Sequence, residues 1–429
     1  MSLALLGGKP VRTKPFPKWP FAGPRDAERL REVLESGNWG GYPFPNRLAG
    51  EFAERFAAYH GAKYGCTVTN GTAAITIALR AAGVAAGDEV IVPAYTWDGT
   101  ATAVLDCGAI PVFADVDPDT YCLDVESARA LVNARTKAIL PVHLAMRFAA
   151  MTALRALARE QNLVIVEDCA HVHGGQYGGE GAGAMGDLGT FSFQSSKLMT
   201  AGEGGVILTS RLDCFELVQT IVNCGRASES DLYAKRITGS NYRMTEFQAA
   251  VLLGQLEMLP DLAAQRVIQA RMLDQALASI DGVSPLPPQA AITRQPIYNY
   301  VFRYHRDEIV PRDMICAAID AEGVPCDGRF YEPVYRSDLF RPTATEFPQL
   351  AGINYRDAFS CPVAERAAYR ESMWLPQFVL LHADDTRDVI AAIEKVMGNL
   401  DALRGADPTL AGVKSMSRAE RPRIEKKNY

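Results

Sequence analysis

The sequence predicts an α/β fold: a mostly parallel, seven-stranded sheet domain followed by a smaller C-terminal α+β domain. Three observations predict it. Short apolar runs alternate with helical patterns from Tyr64 to about Gly205. One long helical stretch then replaces the alternation, and Pro285, Pro287 and Pro288 close it. A second, shorter set of strand-like and helix-like segments follows. Strands joined by helical crossovers pair in parallel and bury both faces, so each reads as an unbroken apolar run.

The first 45 residues are rich in Pro, Gly and Trp around one amphipathic stretch at 26–34. Strand-like runs then cover 66–69, 89–92, 110–114, 138–142, 163–167, 190–193 and 206–208, with helical patterns such as 73–82 and 151–161 between them. A helical region spans 245–280, and Pro260 predicts a break in it. In the smaller domain 298–304 reads as strand, and 312–322 and 386–396 read as helices. The expected division is an N-terminal segment at 1–45, a large ligand-binding domain at 46–260, a small domain at 261–403 and a charged tail at 404–429. Low apolar content predicts that the tail is disordered or draped over a surface.

With 429 residues, 48% of them hydrophobic, the chain has material for a large core in two or three domains. A net charge of -6 argues against nucleic acid or an anionic membrane as the main partner. No apolar run is long enough to span a bilayer, and the N-terminal residues lack the pattern of a secretion signal. The nine cysteines are scattered without a Cys-x-x-Cys pair, which predicts reduced, mostly buried thiols and a cytoplasmic protein.

Lys197 stands between the apolar run that ends near Phe193 and the glycine-rich turn Gly202-Glu203-Gly204-Gly205. A lysine at the end of a core element is partly desolvated, loses its proton more readily and can form a Schiff base with a carbonyl. A lone loop lysine is ordinarily a surface residue, so the reading depends on what surrounds it. Asn70-Gly71-Thr72 follows the first strand and opens a helix, where free N–H groups and the Thr72 hydroxyl suit a phosphate; the plainer alternative is a helix cap. Asp168 ends the fifth strand, where a carboxylate can hold a protonated ring nitrogen, or merely cap the next turn. Cys169, His171 and His173 follow directly. No second ligand group has matching spacing, so no metal is expected and His171 is expected to line the pocket of Asp168. Trp97 ends the second strand, placed to stack on a flat ring or to fill the core. Gly181 to Gly186 matches G-x-G-x-x-G but follows a loop and leads into a strand, the wrong context for a dinucleotide site. Residues 239–244 offer a polar cap or a further phosphate contact.

Together these stretches resemble the DegT/StrS family of sugar aminotransferases, of fold type I, which use pyridoxal 5′-phosphate. The resemblance covers roughly residues 20 to 400 and is carried by 69–74, 88–97, 112–117, 141–143, 167–173, 192–205 and 239–248. It implies that Lys197 forms the Schiff base, Asp168 pairs with the pyridine nitrogen, Trp97 stacks on the ring and His171 lies near its face or its 3-hydroxyl. Gly71, Thr72 and Ser192 would hold the phosphate. Asn241 would reach it from the other subunit of a homodimer with shared active sites.

The implied reaction moves an amino group from glutamine or glutamate to a keto sugar or keto cyclitol, as in aminosugar or other secondary-metabolite biosynthesis. Residues 119–124, 194–205 and 361–367 are most similar to the branch acting on cyclitol ketones and to the aminohydroxybenzoate synthases. That branch carries a pair of histidines where this chain has Trp374-Leu375-Pro376-Gln377, a segment expected to touch substrate. The rival readings are an aromatising synthase, a nucleotide-sugar aminotransferase, a dehydratase (which has histidine in place of the lysine) and a regulator that binds the cofactor without turnover.

Overall fold

A computed structural model of the chain describes residues 2–226, 237–417 and 419–421. Seven strands form the main sheet: β1 (Tyr64–Val68), β2 (Glu89–Pro93), β3 (Ile110–Ala114), β4 (Thr136–Ile139), β5 (Val164–Asp168), β8 (Leu188–Ser192) and β9 (Gly205–Thr209). The short strands β6 (Gln176–Tyr177) and β7 (Glu180–Gly181) stand outside it. The order across the sheet is β1-β9-β8-β5-β4-β2-β3. β9 runs antiparallel to both its neighbours, and every other pairing is parallel. Each expected strand run overlaps one strand of this sheet, its ends shifted by a few residues at most.

Seven helices accompany these strands: α1 (Asp26–Ser36), α2 (Arg47–His60), α3 (Gly71–Ala81), α4 (Asp98–Asp106), α5 (Val125–Leu131), α6 (Met151–Gln161) and α7 (Leu212–Val222). α3 packs on β8 and β9 and is itself covered by α4 and α7. Ile75, Ile77, Ala78 and Leu79 are therefore all buried, and the helix is apolar around most of its circumference.

α8 (Glu246–Leu277) opens with a capping box between Thr245 and Gln248 and runs unbroken through Pro260, contrary to the expected break. The proline forfeits one backbone hydrogen bond and crowds the preceding turn. Buried Leu253, Leu256 and Leu259 before it, and Ala270, Leu273 and Leu277 after it, hold both halves in line.

The smaller sheet has the order β10-β12-β13, from β10 (Val283–Pro285), β12 (Asn299–Tyr304) and β13 (Ser372–Pro376), all antiparallel; β11 (Ile292–Arg294) pairs with β6 instead. α9 (Arg312–Ala321) belongs to the same region. The N-terminal segment is tied to it. Arg12 bridges Asp385 at 2.8 Å and Asp388 at 2.6 Å, and Glu322 accepts the N–H groups of Ala4 and Val11.

The tail differs from the disorder expected of it as far as Arg421. A 3-10 helix, Pro408–Ser415, packs on α9; Lys414 pairs with Asp320 at 3.2 Å and Arg421 with Asp327. These basic residues find carboxylates on the small domain, so this part is draped on the surface, the other of the two expected outcomes. Residues 422–429 lie outside the described residues. All nine cysteines are free thiols, and seven are buried. Among the described residues no helix is long and apolar enough to cross a membrane.

Candidate active site

The carboxyl ends of β1, β2, β5 and β8 open into one pocket of about 980 Å³, the position that a parallel sheet leaves for a ligand. Gly71, Thr72, Trp97, Asp168, His171, Ser192 and Lys197 all line it. Asn241, expected to act from a second subunit, is exposed and stands outside this lining, although its neighbour Tyr242 is part of it.

At the start of α3, Asn70 accepts the Ala73 N–H on its side chain (2.8 Å) and the Ala74 N–H on its carbonyl (3.0 Å). The first two N–H groups of the helix, those of Gly71 and Thr72, are left for a ligand. A Cβ at Gly71 would lie 2.6 Å from the Ser192 Cβ, so only glycine lets the helix start and the end of β8 close into one seat. The predicted cap at Asn70 is present, and it leaves the Gly71 and Thr72 N–H groups that an anion seat would need.

Asp168 ends β5 with its carboxylate buried. Oδ2 accepts from the Thr100 hydroxyl at 2.9 Å and Oδ1 from the Ala170 N–H at 3.1 Å. Burial pushes its pKa up, opposed by the Ala170 N–H, by Lys197 and by Thr100. His171 accepts the Ala145 N–H on Nδ1 (3.1 Å), so its proton sits on Nε2, which meets the Tyr331 hydroxyl at 3.1 Å. Its ring stacks on Tyr298, with centroids 4.2 Å apart. Burial, with Lys197 and His173 adding to it, holds its pKa well below the usual histidine range, and the ring is neutral.

Lys197 follows β8 in a turn closed by its own N–H to the Gln194 carbonyl (2.9 Å). Its Nζ lies 4.7 Å from the centre of the Tyr298 ring. Trp97, directly before α4, is 41% exposed and forms the rim, its ring 6.5 Å from that of Tyr331.

Glu167 does separate work from Asp168, because adjacent strand residues face opposite sides. Its carboxylate is fully buried and accepts the N–H groups of Gly183 (3.1 Å), Met185 (2.8 Å) and Gly186 (2.6 Å). His143 Nε2 lies 2.9 Å away, and His143 Nδ1 accepts the Ala149 N–H, which places the ring proton on the carboxylate side. The G-x-G-x-x-G loop thus cradles an anion of the protein itself. Among the described residues His143, Glu167 and Cys169 bring ligand-type atoms within 4.8 Å of one another. These contacts already commit the glutamate and both imidazole nitrogens.

Among the lining residues that escaped the sequence are Tyr298, Phe330 and Tyr331, all from the C-terminal third of the chain. No periodicity marks them; the adjacent aromatic pair Phe330-Tyr331 was the one available signal. The segment expected to touch substrate stands one layer back. Trp374 stacks on Phe330 (4.7 Å between centroids) and donates to the Tyr95 hydroxyl, and Gln377 donates to the carbonyls of Ser196 and Lys197. β13 is buried behind the pocket wall, which is why these side chains do not line it.

Residues 21–394 match the DegT/DnrJ/EryC1/StrS aminotransferase family. The chain belongs to that family, and it is an aminotransferase. It is 44% identical over 411 residues to a Micromonospora echinospora protein named putative L-glutamine:3-amino-2,3-dideoxy-scyllo-inosose aminotransferase, covering 94% of this chain and 98% of that one. A second Micromonospora echinospora relative, an L-glutamine:2-deoxy-scyllo-inosose aminotransferase, is 36% identical over 420 residues, with 94% and 99% covered. The crystal structure of 3-amino-5-hydroxybenzoic acid synthase superposes with a TM-score of 0.80 at 32% identity, covering 90% of this chain and 100% of that one.

Proposed function

We propose that this aminotransferase uses pyridoxal 5′-phosphate to move the amino group of glutamine to a keto cyclitol, in aminocyclitol biosynthesis. The observation that carries the proposal is the convergence, in one pocket, of an anion seat at Gly71, Thr72 and Ser192, the carboxylate of Asp168 and the amine of Lys197. These features fit the cofactor: the glycine-only seat suits its phosphate, Asp168 its ring nitrogen and Lys197 its aldehyde. When bound, the cofactor supplies an aldehyde that exchanges amines and a ring that withdraws electrons.

The protein's own residues do the rest. Asp168, fixed by Thr100 and Ala170, presents one negative charge at the pocket floor. Lys197 would hold the cofactor's aldehyde and, once released, its amine would serve as general base and acid toward the substrate. His171, neutral and with both nitrogens engaged, works as a flat wall rather than as a proton carrier. Phe330 and Tyr331 help exclude water from the reacting atoms.

A homodimer belongs to the same reading. Leu34, Trp39 and Tyr42 are exposed large hydrophobics in the N-terminal part of the chain. Arg226 and Arg243 stand over the Tyr42 ring, two residues from Asn241 in the case of Arg243. A second copy covering this face would bring Asn241 to the partner's phosphate seat. Nine free thiols support a reducing, cytoplasmic setting.

Glutamine labelled with ¹⁵N at its α-amino group tests the proposal. The label is offered with 2-deoxy-scyllo-inosose, its 3-amino-2,3-dideoxy counterpart or a nucleotide-linked keto sugar, and products are weighed by mass spectrometry. Label is expected in the aminocyclitol. Label only in the nucleotide sugar, or a product lighter by water with an aromatic absorption band, would overturn the acceptor assignment.

A further inference from the structure

We infer that Gln377 is a positioning residue for Lys197, so that the small domain sets where the reactive amine stands. The inference rests on Lys197 having the role proposed above. Gln377 directly follows β13 and is 2% exposed. Its Nε2 donates to two successive main-chain carbonyls, 2.8 Å to Ser196 and 3.2 Å to Lys197. One amide NH₂ carries two hydrogens, enough for both. The acceptors also fix the amide's orientation, because the flipped group would set its oxygen against two oxygens.

The other end of the amide sharpens the case. Gln377 Oε1 is buried and has no hydrogen-bond partner among the described residues. Burying an unsatisfied acceptor costs free energy. A side chain placed only to fill space would be apolar here; a glutamine is favoured because its NH₂ is needed.

Tyr298, just ahead of β12, reaches the same turn. Its hydroxyl lies 2.8 Å from Ser196 Oγ. β12 pairs directly with β13, with Asn299 opposite Pro376, so both contacts come from neighbouring rungs of one small sheet. On the opposite side the large domain holds the turn through the Thr200 hydroxyl to the Phe193 carbonyl (2.9 Å). The lysine-bearing turn is bracketed by both domains. Misplacing a reacting group by about 1 Å costs roughly a hundredfold in rate.

The test uses the full-length protein. Gln377→Met keeps the volume and removes both donations; Gln377→Asn keeps the amide but falls short by one methylene. Hydrogen–deuterium exchange is followed on the peptide spanning residues 194–201 after the cofactor is stripped. The pH midpoint of the visible absorption band, kcat, and KM for glutamine are measured on protein loaded with pyridoxal 5′-phosphate. Both variants are expected to exchange about tenfold faster at 194–201 while β5 is unchanged, as for the loss of a buried hydrogen bond. The band midpoint is expected to move, and kcat to fall about tenfold with KM within roughly threefold.

Wild-type exchange at 194–201 in either variant would overturn the inference. Faster exchange spread evenly over β12 and β13 would also overturn it, because it would indicate packing alone. Absence of both band and turnover in the wild type would instead sink the cofactor reading, and the exchange result would still stand as a separate measurement.

Discussion

Glu167 and Asp168 are neighbouring carboxylates with opposite duties, and substituting each in turn separates them. In Glu167→Gln one of the two oxygens becomes an NH₂ group. Oε1 now serves Met185 and Gly186, and Oε2 serves Gly183 and His143. Whichever way the amide turns, two of these four donors meet a donor. Each loses a bond to a charged acceptor, about 1.5–3 kcal/mol, and is left buried and unsatisfied. The total, about 3–6 kcal/mol, is close to that for removing one member of a buried charge pair.

Asp168→Asn is the control. Burial already disfavours this charge, as its raised pKa shows, and asparagine retains an oxygen for one of the two donors, Thr100 or Ala170. Its expected loss of stability is about 1 kcal/mol, whereas turnover falls at least about a hundredfold, because the charge that balances the reacting centre is gone. Urea unfolding of both cofactor-stripped proteins at pH 7.5, followed by tryptophan fluorescence and circular dichroism, reads the stability. A wild-type midpoint for Glu167→Gln, or a larger loss for Asp168→Asn, would refute the division of labour.

Two further outcomes are expected. Burial lowers the pKa of His60 and of His173 from 6.5 to about 3, so both are neutral in the fold and protonate in the unfolded chain below 6.5. Their contribution is complete above pH 6.5 and is lost as pH falls toward 3. The slope is about 1.4 kcal/mol per pH unit for each histidine; unfolding free energies at pH 7.5, 6 and 5 should show it, and His60→Gln should flatten it by one histidine's share. The shared site is tested by mixing Lys197→Ala with Asn241→Ala. Random heterodimers restore one intact site each, about a quarter of wild-type activity, and no recovery in a turnover assay would mean that Asn241 does not act across subunits.

The sequence by itself determined the sheet and several of the residues that line the pocket. A strand buried on both faces must be apolar throughout, so its position shows in composition alone, and the seven runs from residue 66 to residue 208 mark the seven strands. Lys197, Asp168 and Gly71 were legible for a related reason: each stands at or a few residues beyond the carboxyl end of a strand, where a parallel sheet opens to a ligand.

Tertiary packing decided the rest. Tyr298, Phe330, Tyr331 and Gln377 come to Lys197 from a hundred or more residues away, and no local pattern records a contact made across that distance. The glycine loop at 181–186 found its anion in Glu167, and the helix through Pro260 stayed whole, because neighbours outside each segment supplied the missing free energy. Local sequence sets what a segment is able to form, whereas packing of distant segments sets which of those options is lowest in free energy.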